Sequence, residues 1–97
     1  MALWIKTDSQ TETVTPQNGT RFTLEELQNF VGGYIEPLTL KDGSIMWLNE
    51  EGKLNQLPYN PMANRIAHEQ TGIAWDDGIV GNVLIATRAE SGDEEED

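Results

Sequence analysis

The sequence predicts a small α+β domain, with a mainly antiparallel sheet of about four strands and two short helices. Residues 22–33 and 60–72 each begin with the sequence pattern of a helix start, and most of the other segments have the pattern of short strands. The pair Asp42-Gly43 between two apolar stretches is typical of an antiparallel hairpin. At 97 residues the chain is long enough for one domain with a single modest core.

Composition excludes several classes of protein. Hydrophobic residues make up 37% and charged residues 24%, as in soluble domains, and no apolar run approaches the roughly 20 residues that cross a bilayer. The start lacks a basic region followed by a long apolar stretch, so no secretory signal is expected. With no cysteine, disulfides and thiolate chemistry are excluded, which is compatible with a cytoplasmic protein.

The charge is concentrated at the end of the chain. The net charge is −11, from 17 acidic and 6 basic side chains, and six of the acids fall in residues 90–97. A run of like charges without apolar residues cannot offset its ordering entropy, so residues 90–97 are predicted to be a disordered acidic tail on a globular domain of residues 1–89. The basic residues are scattered singly, which argues against direct binding of nucleic acid.

The N-terminal part reads as two strands. Residues 2–6 alternate, with Leu3 and Ile5 on one face, as a first strand would. A short edge strand is possible at residues 11–15, because Pro16 would end its hydrogen-bond ladder.

A helix comes after these strands. Thr23 is an N-cap with Glu26 three positions on, which is the capping-box pattern, and Phe22 and Leu27 are placed as a hydrophobic staple. The pair beginning at Gly32 stops the helix, since glycine accepts a positive φ. One apolar stripe is expected to face the core: Leu24, Leu27, Phe30 and Val31.

The hairpin comes next, with strands at residues 34–40 and 45–49. Its Asp42-Gly43 pair is the one that type I′ turns prefer. The second strand is apolar on both sides, which predicts that both faces of the sheet are covered. Pro37 lacks a donor, so its strand should lie at an edge or carry a bulge.

An irregular segment leads to the second helix. Residues 49–52 read as a turn with Gly52 in the left-handed position, and Leu54 and Leu57 are expected to anchor the chain after this turn. Asn60-Pro61 reads as N-cap and first helical residue.

The last elements complete the core. The second helix should stop at Gly72, and residues 79–87 form the final strand with a bulge or close approach at Gly81-Asn82. The predicted core residues are Leu3, Ile5, Leu27, Phe30, Ile35, Trp47, Leu48, Leu54, Ile66, Val83 and Ile85.

Catalysis is poorly supported, and we expect no enzyme, metal or cofactor. A Ser or Thr nucleophile would need a base, and the one histidine, His68, has no serine-containing turn beside it. One histidine and scattered carboxylates match no metal-ligand spacing. Glu50 and Glu51 are adjacent in a turn and would point apart, so they do not form an acid pair.

A binding surface is the better candidate. Residues 49–60 form a loop whose shape is fixed by Gly52, Pro58 and the Pro61 that follows it. Tyr59 and Trp75 could line a groove. The competing interpretation is that Leu54 and Leu57 only pin a connector. The candidate binding residues are Glu50, Glu51, Lys53, Tyr59 and Trp75.

Four segments together carry a resemblance. They are residues 31–36 (VGGYIE), 49–54 (NEEGKL), 57–60 (LPYN) and 79–84 (IVGNVL). Over residues 24–87 the chain resembles a small family of unknown function that is found in bacteriophages, plasmids and mobile regions of bacterial genomes. The resemblance implies a phage or mobile-element protein made in a host cytoplasm, and it supplies no activity or site residues.

Three functions compete for this sequence. The first is an accessory protein that binds a host protein and modulates it, as a counter-defence or regulatory factor. The second is a module that sequesters a small ligand such as a nucleotide signal, although an acidic protein repels an anion. The third is a DNA mimic that presents its carboxylates to a nucleic-acid site.

Overall fold

The computed structural model describes residues 1–71 and 78–92. Within them it contains five strands and two helices. These are β1 (Ala2–Ile5), β2 (Thr11–Val14), α1 (Leu24–Val31), β3 (Ile35–Thr39), β4 (Ile45–Asn49), α2 (Pro61–Thr71) and β5 (Val83–Ala86). The α+β prediction is confirmed, with one strand more than the four expected.

The strands form one antiparallel sheet in the order β2-β1-β5-β4-β3. The additional strand is β2, which pairs with β1 from Ala2↔Val14 to Ile5↔Thr11 at one edge. The N-terminal and C-terminal strands meet in the middle, because β5 lies between β1 and β4. In the described part of the chain no helix is both long and apolar enough to span a bilayer.

Both faces of the sheet are covered, as predicted. Along β4, Ile45 and Trp47 join the cluster that contains Leu27 and Val31 of α1, while Met46 joins the cluster that contains the alanines of α2. Alternate side chains of β4 therefore pack into two hydrophobic clusters, one on each face of the sheet. The domain has three layers, with one helix against each face.

Most of the predicted core is confirmed, with one clear error. Four of its members are buried and six are half-buried against them; these ten are Ile5, Leu27, Trp47 and Val83, then Leu3, Phe30, Ile35, Leu48, Ile66 and Ile85. The eleventh, Leu54, is 79% exposed. Prediction of the helix stripe was likewise wrong at Leu24, which is 59% exposed, while Phe22 before the cap is buried.

Three of the four predicted helix ends are confirmed. The Thr23 hydroxyl accepts from the Glu26 N–H at 3.1 Å, and the Glu26 carboxylate accepts from the Thr23 N–H at 2.8 Å. Gly32 closes α1 in the left-handed conformation with φ of 83°. At the start of α2 the Asn60 side chain accepts from the Ala63 N–H at 3.0 Å, as an N-cap does. The predicted stop at Gly72 lies outside the described residues.

Pro37 lies at an edge, as predicted, since β3 is the last strand of the sheet. Hydrogen bonds from Glu50 N to Tyr34 O and from Leu40 N to Ser44 O show which residues of β3 pair with β4. Backbone groups of alternate residues point to opposite sides of a strand, so residues 34, 36, 38 and 40 face β4 and Pro37 faces away from it. The nitrogen of Pro37 therefore lies on the unpaired edge of the sheet, where the missing N–H removes no hydrogen bond.

The two turn predictions need correction. The hairpin has a three-residue loop in which Gly43 donates to the Leu40 carbonyl, and Gly43 alone in that loop has a positive φ, whereas a type I′ turn requires two such residues. The second turn, residues 49–52, does not place Gly52 in the left-handed region; the chain enters that region four residues later, at Gln56, with φ of 56°. Gly52 has a steric role, because Val80 lies against it.

The predicted tail boundary falls on a residue with contacts to the domain. The Glu90 carbonyl accepts from the Phe22 N–H at 2.7 Å, and its carboxylate pairs with the N-terminal amine. The next residue, Ser91, accepts from the Trp47 indole N–H at 3.0 Å. Residues 93–97 of the predicted tail lie outside the described residues.

Candidate functional site

One end of the sheet gathers the ends of several elements. There β4 ends at Asn49, β3 begins at Ile35 and β5 begins at Val83, because neighbouring strands are antiparallel. Helix α1 also ends there, and α2 begins there. We call this the connector end, after residues 50–60, which join β4 to α2.

The connector is held by its own backbone. The Asn55 N–H donates to Glu51 O at 2.9 Å, the Gln56 N–H donates to Lys53 O at 3.0 Å, and the Leu57 N–H donates to Gly52 O at 2.9 Å. Three successive bonds of this kind make a compact coil of chain. The exposed side chains along it are therefore carried on a backbone of defined shape.

Two glycines bring the connector against the loop before β5. A Cβ atom at Gly52 would lie 2.8 Å from Cγ2 of Val80, and one at Gly81 would lie 2.8 Å from Cδ1 of Leu57. The close approach predicted at Gly81 is confirmed, and Gly52 is a close approach too. Leu57 is the anchor that the sequence predicted, and Leu54 is not.

Asn49 ties the connector to α1. Its side-chain amide donates to the Val31 carbonyl at 3.1 Å, and its Oδ1 accepts from the Glu51 N–H at 2.8 Å. A Cβ atom at Gly33 would lie 3.0 Å from the same amide. The direction in which Glu51 leaves the strand is thus set by a buried side chain.

Asn60 and Asn64 tie α2 to the same end. The buried Asn60 amide donates to Gly81 O at 2.9 Å and to Ile5 O at 3.2 Å. One helical turn later, Asn64 donates to Ile79 O at 2.9 Å and accepts from the Ile79 N–H at 2.7 Å. These bonds hold the loop before β5 in the absence of a regular strand.

Two depressions flank the connector. The first has a volume of about 240 Å³, and its lining includes Glu36, Leu48, Glu50, Lys53 and Ile79. The second has a volume of about 520 Å³ and lies between the end of α1 and the connector; its lining includes Gln28, Asn29, Tyr34, Glu51 and Asn55.

The predicted binding residues are divided between these places. Glu50 and Lys53 line the first depression and Glu51 lines the second. Tyr59 is 56% exposed, pairs with Val80 in an isolated bridge and lies against Gly78. Trp75 lies outside the described residues.

The sequence interpretation missed two exposed residues. Tyr34, 62% exposed, and Leu54, 79% exposed, border the connector end, whereas the sequence pattern places them in a strand and in the core. The position of Tyr34 between two glycines and the first residue of β3 was a usable signal, because it places Tyr34 at the end of the sheet.

The carboxyls with lowered pKa values lie away from both depressions. The backbone N–H of Thr23 lowers the pKa of Glu26, and the Ser44 hydroxyl lowers the pKa of Asp42. Burial raises the pKa of Glu90, but hydrogen bonds, chiefly from the N-terminal amine, outweigh it and lower that pKa. These shifts belong to a cap, a turn and a chain end. In the described part of the chain no three His, Cys, Asp or Glu side chains cluster as metal ligands would.

The chain belongs to the family described as a domain of unknown function, DUF3846, whose sequence profile matches residues 2–97. The match extends beyond residues 24–87, over which the resemblance was expected, and takes in β1, β2 and the acidic end. No curated protein and no solved structure matches the chain.

Proposed function

We propose that this protein is a non-enzymatic accessory protein of a phage or mobile element that binds a host protein in the host cytoplasm and modulates it. The observation that carries the proposal is the exposure of Tyr34, Leu54 and Tyr59 around one rigid connector. Single exposed apolar side chains are normal on any protein surface. Three at the same end, on a backbone held by internal hydrogen bonds, are typical of a recognition surface.

The composition of that surface favours a protein partner. Tyrosine offers a large, rigid contact area with a polar tip, and it is enriched at the energetic centres of protein interfaces. The connector is ordered before binding, so less conformational entropy is lost on association. Glu50 and Glu51 beside these side chains add a polar rim.

The alternatives have weaker support. The first depression could hold a small ligand, but Glu36 and Glu50 line it and would repel a nucleotide phosphate, against one amine from Lys53. A DNA mimic would draw on the acidic residues of 93–97, and the body contributes only a modest excess of negative charge.

Pull-down from a bacterial host lysate tests the proposal, with Leu54→Ala and Tyr34→Ala beside the parent protein. The matched control is Leu24→Ala, which removes an exposed leucine from the N-terminal end of α1. A host protein retained by the parent and by the control, and lost with Leu54→Ala and Tyr34→Ala, supports the proposal. Equal retention by all four forms, or no retained protein, contradicts it. Retention that needs residues 93–97 would favour the mimic, and a co-purified nucleotide would favour the ligand-binding module.

A further inference from the structure

The second depression is built around hydrogen-bond acceptors. Helix α1 ends at its rim, so the negative end of the helix dipole lies there, and no basic residue stands in the last turn of α1. In the described part of the chain no ion pair engages the Glu51 carboxylate at the opposite rim. The two rims favour the same kind of ligand, one that is positively charged.

One carbonyl in the last turn of α1 has no donor within residues 1–71 and 78–92. Of the last four carbonyls of α1, that of Gln28 accepts from Gly32 and Gly33, that of Phe30 from Trp4, and that of Val31 from Asn49. Among the described residues nothing donates to the fourth, the carbonyl of Asn29, and Asn29 is one of the residues that line the depression. Helix carbonyls point toward the C-terminal end, so this acceptor faces the space beyond α1.

An aromatic ring completes the lining. The Tyr34 side chain is 62% exposed, and its backbone is held by the bond from Glu50 N to Tyr34 O at 2.8 Å. The Glu51 backbone is held by its bond to Asn49 at 2.8 Å. Tyr34, Glu51 and Asn29 therefore line one depression, and hydrogen bonds fix the backbone of the first two.

We propose that this depression receives an arginine side chain of the partner protein. A guanidinium has five donors and no acceptor, so it can bond the Asn29 carbonyl and the Glu51 carboxylate together, and its flat face can stack on Tyr34. A lysine ammonium matches the charge but lacks the flat face. The net charge of −11 attracts a basic partner to this acidic protein. The inference rests on the proposed function, since it names the chemistry of the partner at the connector end.

The site can be tested without the partner. The peptide acetyl-Gly-Arg-Gly-amide is titrated into the full chain labelled with ¹⁵N, and the amide shifts of Gly32, Gly33, Tyr34, Glu51 and Asn55 are followed. Peptides with citrulline or lysine in place of arginine are the matched controls. Saturable shifts confined to the depression are expected for arginine, with affinity lowered about tenfold for citrulline because the charge is lost. Shifts that do not saturate, that spread over the surface, or that are the same for lysine overturn the proposal.

Variants assign the contact. Glu51→Gln and Tyr34→Leu should each weaken arginine binding about fivefold or more. Glu25→Gln, which removes an exposed carboxylate from the opposite end of α1, should leave it unchanged. The same spectra report whether each variant is folded. Undiminished binding by a folded Glu51→Gln protein contradicts the site. A host protein that is retained equally by the parent and Glu51→Gln refutes the arginine site and leaves the proposed function standing. Arginine binding without any retained host protein supports the site and refutes the proposed function.

Discussion

The side-chain amide of Asn60 lies 3.2 Å from the carbonyl oxygen of Ile5, which is 55 positions earlier in the chain. The same amide bonds Gly81 O, and the carbonyl group of the side chain caps α2 through Ala63. One buried residue therefore links the ends of β1, α2 and the loop before β5. Because Asn60 is fully buried, water cannot reach these polar groups, and they depend on each other for hydrogen bonds.

Asn60→Ala should be the most destabilising single change at the connector end. It removes a helix cap and the two hydrogen bonds that the Asn60 amide donates to the carbonyls of Gly81 and Ile5, for a cost of about 3 kcal/mol in the free energy of unfolding. Urea unfolding measures this value. Asn60→Ser retains a capping oxygen, so it should be less destabilising than Asn60→Ala. Equal stability of the parent and Asn60→Ala would show that the bonds contribute nothing.

Gly52→Ala and Gly81→Ala should differ in how they can be rescued. Each introduces a Cβ atom 2.8 Å from a side chain, at an expected cost of about 1–3 kcal/mol. Gly52 has no positive φ, so adding Val80→Ala should relieve its clash. Gly81 has φ of 82°, so Leu57→Ala should not restore Gly81→Ala fully. Thermal unfolding of the single and double variants checks this, and full rescue at both positions would contradict the strain argument.

Removal of the α1 capping box should lower stability moderately. Thr23→Ala loses the acceptor for the Glu26 N–H and should cost about 1 kcal/mol. Thr23→Ser keeps that acceptor and serves as the control. Chemical denaturation that places Thr23→Ala level with the parent would mean that packing alone sets the start of the helix.

The same box should make stability depend on pH in the acid range. The pKa of Glu26 is lowered from 4.5 by hydrogen bonds to its charged form, so the unfolded chain takes up the proton first as pH falls. The stabilisation is present above the unfolded pKa and is lost as pH falls through the folded one. Glu26→Gln should be less stable than the parent at neutral pH and should approach it in acid. A stability difference that stays constant with pH would argue against this role of the charge.

Shortening the chain should show where the domain ends. Deletion of residues 93–97 is expected to leave the melting temperature nearly unchanged, because a run of acids has no apolar side chain to bury. Deletion from Glu90 onward should lower it, since the bonds to Phe22 and Trp47 are lost. A fall of many degrees after the shorter deletion would show that the acidic residues pack on the body.

Local features of the sequence were predicted well. The capping box of Thr23 and Glu26, the stop at Gly32 and the cap at Asn60 all depend on hydrogen bonds that span three or four residues. The edge position of Pro37 follows from the donor that proline lacks. Such signals lie within a few positions along the chain, so they can be identified without a structure.

The candidate site could be predicted only in part. Residues 49–60 were recognised as a shaped loop, and three of the five chosen residues, Glu50, Glu51 and Lys53, do line depressions there. The prediction that Leu54 is buried was wrong, because an apolar side chain in a loop has no periodicity to show which way it points. Tyr34 was missed because its neighbours across the depression, Glu51 and Asn55, are 17 or more positions away.

The sequence by itself determined where both helices begin, where α1 ends, where the hairpin turns and that both sheet faces are covered. These follow from backbone hydrogen bonding and from alternation of side chains along one strand. Only the tertiary structure decided the order β2-β1-β5-β4-β3, the reason for glycine at position 52 and the meeting of Tyr34, Asn29 and Glu51 at one depression. Each of these depends on packing between segments far apart in the chain, where the contact is set by the whole core and not by neighbouring residues.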